Sequence, residues 1–211
     1  MTRLLHLFGA GGHGRELAWL AREVHGDDLS LVYLVDDESH LDGPVHGHPV
    51  RLLADATAGG LYVAAIGDPA ARERAAQACD RAGLVATTLV HPRVEHAPDR
   101  VQFGPGSVVA AGSVLTTDIT LGRHVHVNVG CTVSHDAVLE DYVTLSPGVH
   151  VAGHVTIERG AFLGTGATVI NGTTTERLVI GAGAVVAAGA VVTGSVAPGA
   201  LVAGVPAVRK R

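Results

Sequence analysis

A histidine followed directly by an aspartate, His135-Asp136, is the pair in this chain best suited to moving a proton. Histidine titrates near neutrality, so it can take a proton from an attacking amine or hydroxyl. A carboxylate beside it fixes the ring tautomer and stabilises the imidazolium that forms. A second set of residues points to phosphate. Gly9-Ala10-Gly11-Gly12-His13-Gly14 follows an apolar run, precedes a helical one and has GxGxxG spacing. Glycines there let the backbone approach a diphosphate, whose charge rests on the N–H groups that open the helix. Asp36-Asp37 ends the next apolar run, about where a ribose-reading acid belongs. Gly67-Asp68 ends a third.

Two kinds of element must hold these groups. In the N-terminal third, strands are expected at Leu4 to Phe8, Leu31 to Val35, Leu61 to Ile66 and Thr87 to Val90. Helices are expected from Arg15 to Val24, with Leu17, Leu20 and Val24 on one face, and from Pro69 to Ala82. Alternating strands and helices imply a parallel sheet, here a Rossmann-like α/β domain over residues 1–90. That length holds one mononucleotide half, which disfavours a nicotinamide cofactor and fits a single nucleotide diphosphate such as a nucleotide-sugar. Residues 91–102, with Pro92 and Pro98, read as a linker.

From Phe103 to Val169 a large apolar residue returns at every sixth position. That period belongs to a hexapeptide β-helix, expected over residues 103–211. In each hexad, slots one and five face inward, slot six faces outward, and slot four is a corner held mostly by glycine. Three hexads close a triangular coil, so residues eighteen apart stack about 4.8 Å from one another. His135 and Asp136 then sit at a corner between Thr117 and Gly153, and Gly153 leaves backbone N–H groups approachable. An eleven-residue step from Val169 to Ile180 marks a modified corner near Asn171 to Arg177.

The 211 residues carry 15 basic and 20 acidic side chains, which gives no electrostatic footprint for nucleic acid. Arg209-Lys210-Arg211 is the single basic run. Cys79 and Cys131 form no disulfide framework, and no apolar stretch reaches a membrane-spanning length. A soluble, cytoplasmic protein is expected.

The hexads and the terminal Gly204-Val205-Pro206-Ala207 resemble the left-handed β-helix acyltransferases. With the glycine turn, Asp36-Asp37 and Ala65-Ile66-Gly67-Asp68, the whole chain is similar to the NeuD/PglD-type bacterial sugar O/N-acyltransferases. The resemblance implies a left-handed homotrimer with active sites between neighbouring β-helices. It also implies acetyl-CoA as co-substrate, no metal, and direct transfer from the thioester to the amine of a UDP-4-amino-sugar. It makes His135 the base, Asp136 its modulator and Asn128 a polar group near the acceptor. It assigns Gly11, Gly12, His13, Asp36, Asp37 and Gly67 to the nucleotide-sugar, and Thr144, Gly153, Thr165 and Ala182 to acetyl-CoA. Where this chain has Thr144, relatives often carry a histidine; His126, one coil away, is a candidate replacement.

Other readings remain at this point. O-acetylation of a sialic or related sugar would use the same groups. A zinc hydratase similar to the γ-type carbonic anhydrases would draw ligands from His150 and His154 with His124 or His126, although their spacing does not match that family. A sugar-nucleotide-binding scaffold needs no catalysis. His124, His126, His150 and His154 all fall in turn or outward slots, where solvent exposure is expected.

Overall fold

A computed structural model describes residues 3–41 and 43–210; Arg211, the end of the basic run, lies outside them. β1 (Arg3–Phe8), α1 (Gly12–His25), β2 (Leu29–Val35), β3 (Val50–Leu52), β4 (Leu61–Ala64), α2 (Pro69–Arg81) and β5 (Val85–Ala86) build the N-terminal unit. Its five strands are parallel in the order β3-β2-β1-β4-β5. β3 has only three residues, too few for its alternation to mark it in the sequence. The glycine turn is sterically required. Gly9 has φ +115°, and a Cβ on Gly14 would lie 2.1 Å from the Gly9 carbonyl oxygen. α2 starts on Asp68, whose carboxylate accepts from the Ala71 N–H at 2.7 Å, with Pro69 in its first turn.

The remainder is the expected left-handed parallel β-helix. Its first face stacks Leu89–Val90, Val108–Val109, His126–Val127, Thr144–Leu145, Phe162–Leu163, Val185–Val186 and Leu201–Ala203, with Val208–Arg209 antiparallel at the end. The second stacks Glu95–His96, Val114–Leu115, Thr132–Val133, His150–Val151, Thr168–Val169 and Val191–Val192. The third stacks Val101–Phe103, Ile119–Leu121, Val138–Leu139, Val155–Ile157 and Leu178–Ile180. Inward slots are sealed: Leu115, Val127, Val133, Leu139, Leu145, Ile157 and Leu163 have no exposed surface. Each such side chain contributes about 1.5–3 kcal/mol by leaving water.

Three expectations are corrected. The strand expected over Thr87 to Val90 is shortened to Leu89–Val90 and belongs to the β-helix, where it pairs with Val108–Val109, whereas Val85–Ala86, just before it, closes the N-terminal sheet. Residues 91–102 therefore do not form a free linker; they wind the first coil through Glu95–His96 and Val101–Phe103. Third, the modified corner is an expansion. Ile157 pairs with Ile180, twenty-three residues on, so the loop near 171–177 adds five residues to a regular coil.

The N-terminal unit lies against the outer side of the first face. Val108 joins Leu17 and Leu20 of α1 in one apolar cluster, and Tyr142 joins Tyr62, Ala76 and Cys79 in another. Outward residues Val108, His126 and Thr144 are thus buried, although their slot predicts exposure in an isolated β-helix.

Candidate active site

His135 and Asp136 occupy the edge between the second and third faces. Asp136 fills slot four with φ +58°, the left-handed turn conformation that glycine takes in most coils. That turn folds its carboxylate back, and His135 Nδ1 donates to Asp136 Oδ2 at 2.7 Å. The bond holds the Asp136 carboxyl below the usual carboxylate range. His135 is about half exposed, and among the described residues no hydrogen bond engages its Nε2. The imidazole lies over Gly153, where a Cβ would approach the ring to 2.6 Å. Two residues that sequence reasoning did not assign to this edge complete it. His154 brings Nε2 to 3.6 Å from Asp136 Oδ2. Arg177, from the expanded corner, donates to the Asp136 carbonyl at 2.5 Å, to the Val155 carbonyl at 3.0 Å and to Thr156 Oγ1 at 2.7 Å.

The nucleotide candidates gather elsewhere. A cavity of about 460 Å³ opens at the C-terminal ends of β1 and β2, lined by Gly9, Gly11, Asp36, His40, Val50 and Ile66 among others. Such a crevice is where ligands bind in open α/β sheets. Gly11 and Gly12 are exposed, and no side chain caps the start of α1, so its first N–H groups are open to an anion. Asp37 is committed to a local turn, accepting from the Ser39 N–H at 2.8 Å. Gly67 is turned into the seam between the two units, where its carbonyl accepts from Arg72 at 2.9 Å and Thr144 at 3.0 Å.

The seam accounts for several more. His13 donates from Nδ1 to Glu16 at 3.0 Å, and its Nε2 accepts from His126 Nδ1 at 3.1 Å. With Asn128 it lines a cleft of about 120 Å³ beside Val108 and Pro147. Asn128 donates to the Leu145 carbonyl at 2.7 Å, at the edge between the first and second faces, one edge away from His135. Thr144 is buried in the seam, so it does not line an open surface; nor does His126. Burial holds the His126 imidazole well below its ordinary pKa. His124 is stacked between Tyr62 and Tyr142, with ring centroids 5.9 and 5.3 Å away, and burial lowers its pKa to about 4. Both histidines were expected in solvent and are not, because the N-terminal unit covers their face. Buried in the seam, they are not grouped with His150 or His154, so among the described residues the zinc set drawn from these four does not assemble within one chain.

At the centre of the seam lies Arg72, fully buried and without a carboxylate partner within bonding distance among the described residues. Its guanidinium donates to the carbonyls of Ile66, Gly67, His124, Tyr142 and Val143 and to Thr144 Oγ1, at 2.6–3.2 Å. Burial lowers its pKa to about 10, which leaves it charged at neutral pH. One of three arginines in a helix pattern, it gives no sign of this role in the sequence.

The acetyl-CoA candidates do not converge in one chain. Gly153 is on the edge between the second and third faces, Thr165 between the first and second, and Ala182 between the third and first. The Ala182 N–H is already taken by Glu158 at 2.8 Å.

Residues 5–79 match the family described as the PglD N-terminal domain. The GDP-perosamine N-acetyltransferase of Escherichia coli O157:H7 is 33% identical over 188 residues, which cover 85% of this chain and 84% of that protein. The chain belongs to the NeuD/PglD-type sugar acetyltransferases. Solved structures agree over the full length of this acetyltransferase. The acetyltransferase domain of PglB from Neisseria gonorrhoeae FA1090, in complex with acetyl coenzyme A, is 31% identical with a TM-score of 0.87, covering 99% of this chain and 100% of that one. PerB from Caulobacter crescentus, in complex with CoA and GDP-perosamine, is 29% identical with a TM-score of 0.85, covering 99% and 97%. Among the described residues of this acetyltransferase, no helix is long and apolar enough to cross a membrane.

Proposed function

We propose that this enzyme transfers the acetyl group of acetyl-CoA to the amine of a nucleotide-linked 4-amino sugar, with His135 as general base. The observation that carries the mechanism is the 2.7 Å bond between His135 Nδ1 and Asp136. It fixes the proton on Nδ1 and leaves the Nε2 lone pair to take a proton from the amine as the new C–N bond forms. The imidazolium then returns that proton to the sulfur as the C–S bond breaks, giving the amide and the CoA thiol. Gly153, whose missing side chain leaves room for the ring, and Asp136, whose charge supports the imidazolium, are the positioning groups.

The nucleotide is assigned to the cavity beside Gly9, Gly11 and Asp36, with its diphosphate on the open N–H groups of α1. The sequence suggests a uridine nucleotide; the GDP-perosamine relatives favour guanosine, and we take GDP as the first substrate to test. Where the parts lie supports oligomerisation. The N-terminal unit covers the first face, and His135 is on the edge opposite that face. A prism side of six residues spans up to about 20 Å at about 3.3 Å per residue, so a sugar held by one chain is better placed to meet the base of another. This supports a homotrimer with sites between subunits, in which edges that diverge in one chain face each other across an interface. Two free, buried cysteines agree with a reducing, cytoplasmic setting.

A release assay for CoA thiol across GDP- and UDP-linked 4-amino sugars, with CMP-sialate and free sialate as hydroxyl acceptors, tests the reading. His135→Ala should lower kcat by about 10²–10⁴ with little change in KM for either substrate. Unchanged turnover in that variant removes His135 as the base. Turnover confined to the hydroxyl acceptors overturns the amine assignment.

A further inference from the structure

The edge that holds the proposed base carries a second histidine, to which the proposed acetyl transfer gives no proton-transfer step. His154 lies eighteen residues after Asp136, in the same corner slot of the next coil, and shares its left-handed backbone at φ +54°. Its Nε2 approaches the same carboxylate oxygen that His135 Nδ1 reaches, at 3.6 Å against 2.7 Å. The two imidazoles meet edge to face with centroids 5.1 Å apart. One donor atom from each of the three residues lies within 4.8 Å of the other two.

We propose that His135, Asp136 and His154 form a binding site for a zinc-class divalent cation, and that its occupation excludes His135 from acting as a base. Zinc bonds to imidazole nitrogen and carboxylate oxygen are about 2.0–2.2 Å long. In a tetrahedron this spaces neighbouring ligand atoms about 3.3 Å apart. The observed 2.7 and 3.6 Å bracket that value, so modest rotations of the half-exposed His135 ring and the mostly buried His154 ring complete the site. Two imidazoles and a carboxylate suit zinc, whereas magnesium and calcium prefer all-oxygen shells. A fourth position stays open to water. The Arg177 guanidinium lies near enough to lower cation affinity, but its hydrogen bonds run to the main chain and to Thr156, leaving both histidines and the carboxylate free to coordinate.

The exclusion is a matter of tautomers. A neutral imidazole has one N–H and one lone pair. In the metal-free site the N–H is on Nδ1, bonded to Asp136, and the lone pair is on Nε2. A cation held through Nδ1 needs the lone pair there, so the proton moves through solvent to Nε2. The nitrogen that accepts the amine proton then no longer has a lone pair, and Asp136 gives its charge to the metal. The cation acts here as a reversible inhibitor rather than a cofactor.

The binding half of this proposal stands apart from the acetyl-transfer reading; the inhibition half rests on His135 being the base. Full-length protein stripped by a chelator is titrated with zinc chloride by calorimetry, without CoA. Acetyl transfer is followed in parallel through the acetylated sugar, because the CoA thiol itself binds zinc. Expected are one zinc per chain, saturable inhibition reversed by EDTA, and no inhibition by magnesium. His154→Ala, with His154→Gln as a second variant if the first folds poorly, should raise the half-inhibitory zinc concentration about tenfold or more, each variant being measured against its own metal-free turnover. Absence of a one-per-chain site, or equal zinc sensitivity in wild type and both variants, overturns the site. One zinc bound with undiminished transfer overturns the exclusion. Absence of acetyl transfer to every sugar tested would count against the function proposed above while the calorimetry still decides the site.

Discussion

Replacing Arg72 with alanine should uncouple the nucleotide unit from the β-helix. The guanidinium serves six acceptors, of which the Val143 carbonyl keeps a bond from the His126 N–H and the Gly67 carbonyl keeps Thr144. The carbonyls of Ile66, His124 and Tyr142 have no other donor among the described residues. Each buried acceptor left unpaired costs about 1–3 kcal/mol. Removing the buried charge recovers part of its desolvation, so a net loss of about 3–5 kcal/mol is expected. Trp19, the chain's single tryptophan, lies in α1 and makes fluorescence a selective probe of the N-terminal unit. At fixed protein concentration, urea unfolding followed by Trp19 should move to lower denaturant by about 2 M, taking a slope of about 2 kcal/mol per M. Circular dichroism, dominated by the β-helix, should lag behind it and separate one transition into two. A shift below about 0.5 kcal/mol, or transitions that stay coincident in the variant, would refute the view that Arg72 holds the seam.

Three further outcomes follow from the same geometry. Unfolded His124 binds a proton near 6.5 and the folded residue, desolvated beside Arg123 and Arg72, near 4, so stability should fall by up to about 3 kcal/mol as pH drops through that window. Urea titrations at pH 7.5 and 4.5 measure this, and His124→Phe should flatten the slope. Gly153→Ala places a methyl 2.6 Å from the His135 ring and should lower kcat about a hundredfold at nearly constant KM. Arg177→Ala frees the Asp136 corner and removes a positive charge that lowers the Asp136 pKa. Its kcat/KM should fall about tenfold, the acid limb of the pH profile should move to higher pH, and lysine should restore part of both.

The six-residue period settled the β-helix because it is a local pattern of inward and outward side chains, repeated too often to be accidental. The same count gave addresses: Gly153 under His135 and His154 under Asp136 both follow from steps of eighteen, although only the first was used. The glycine turn was equally legible, since Gly9 and Gly14 are each dictated by contacts close in sequence or across one strand pair. What the sequence could not carry was which face of the prism would be covered. His124, His126 and Thr144 look like outward residues by every local measure, and only the docking of α1 and α2 makes them interior. Arg72 is an ordinary helix residue until five carbonyls from both units converge on it. The separation of the nucleotide cavity from His135 is likewise a tertiary fact. Local periodicity fixes where a side chain points; only packing between units decides what lies there to meet it.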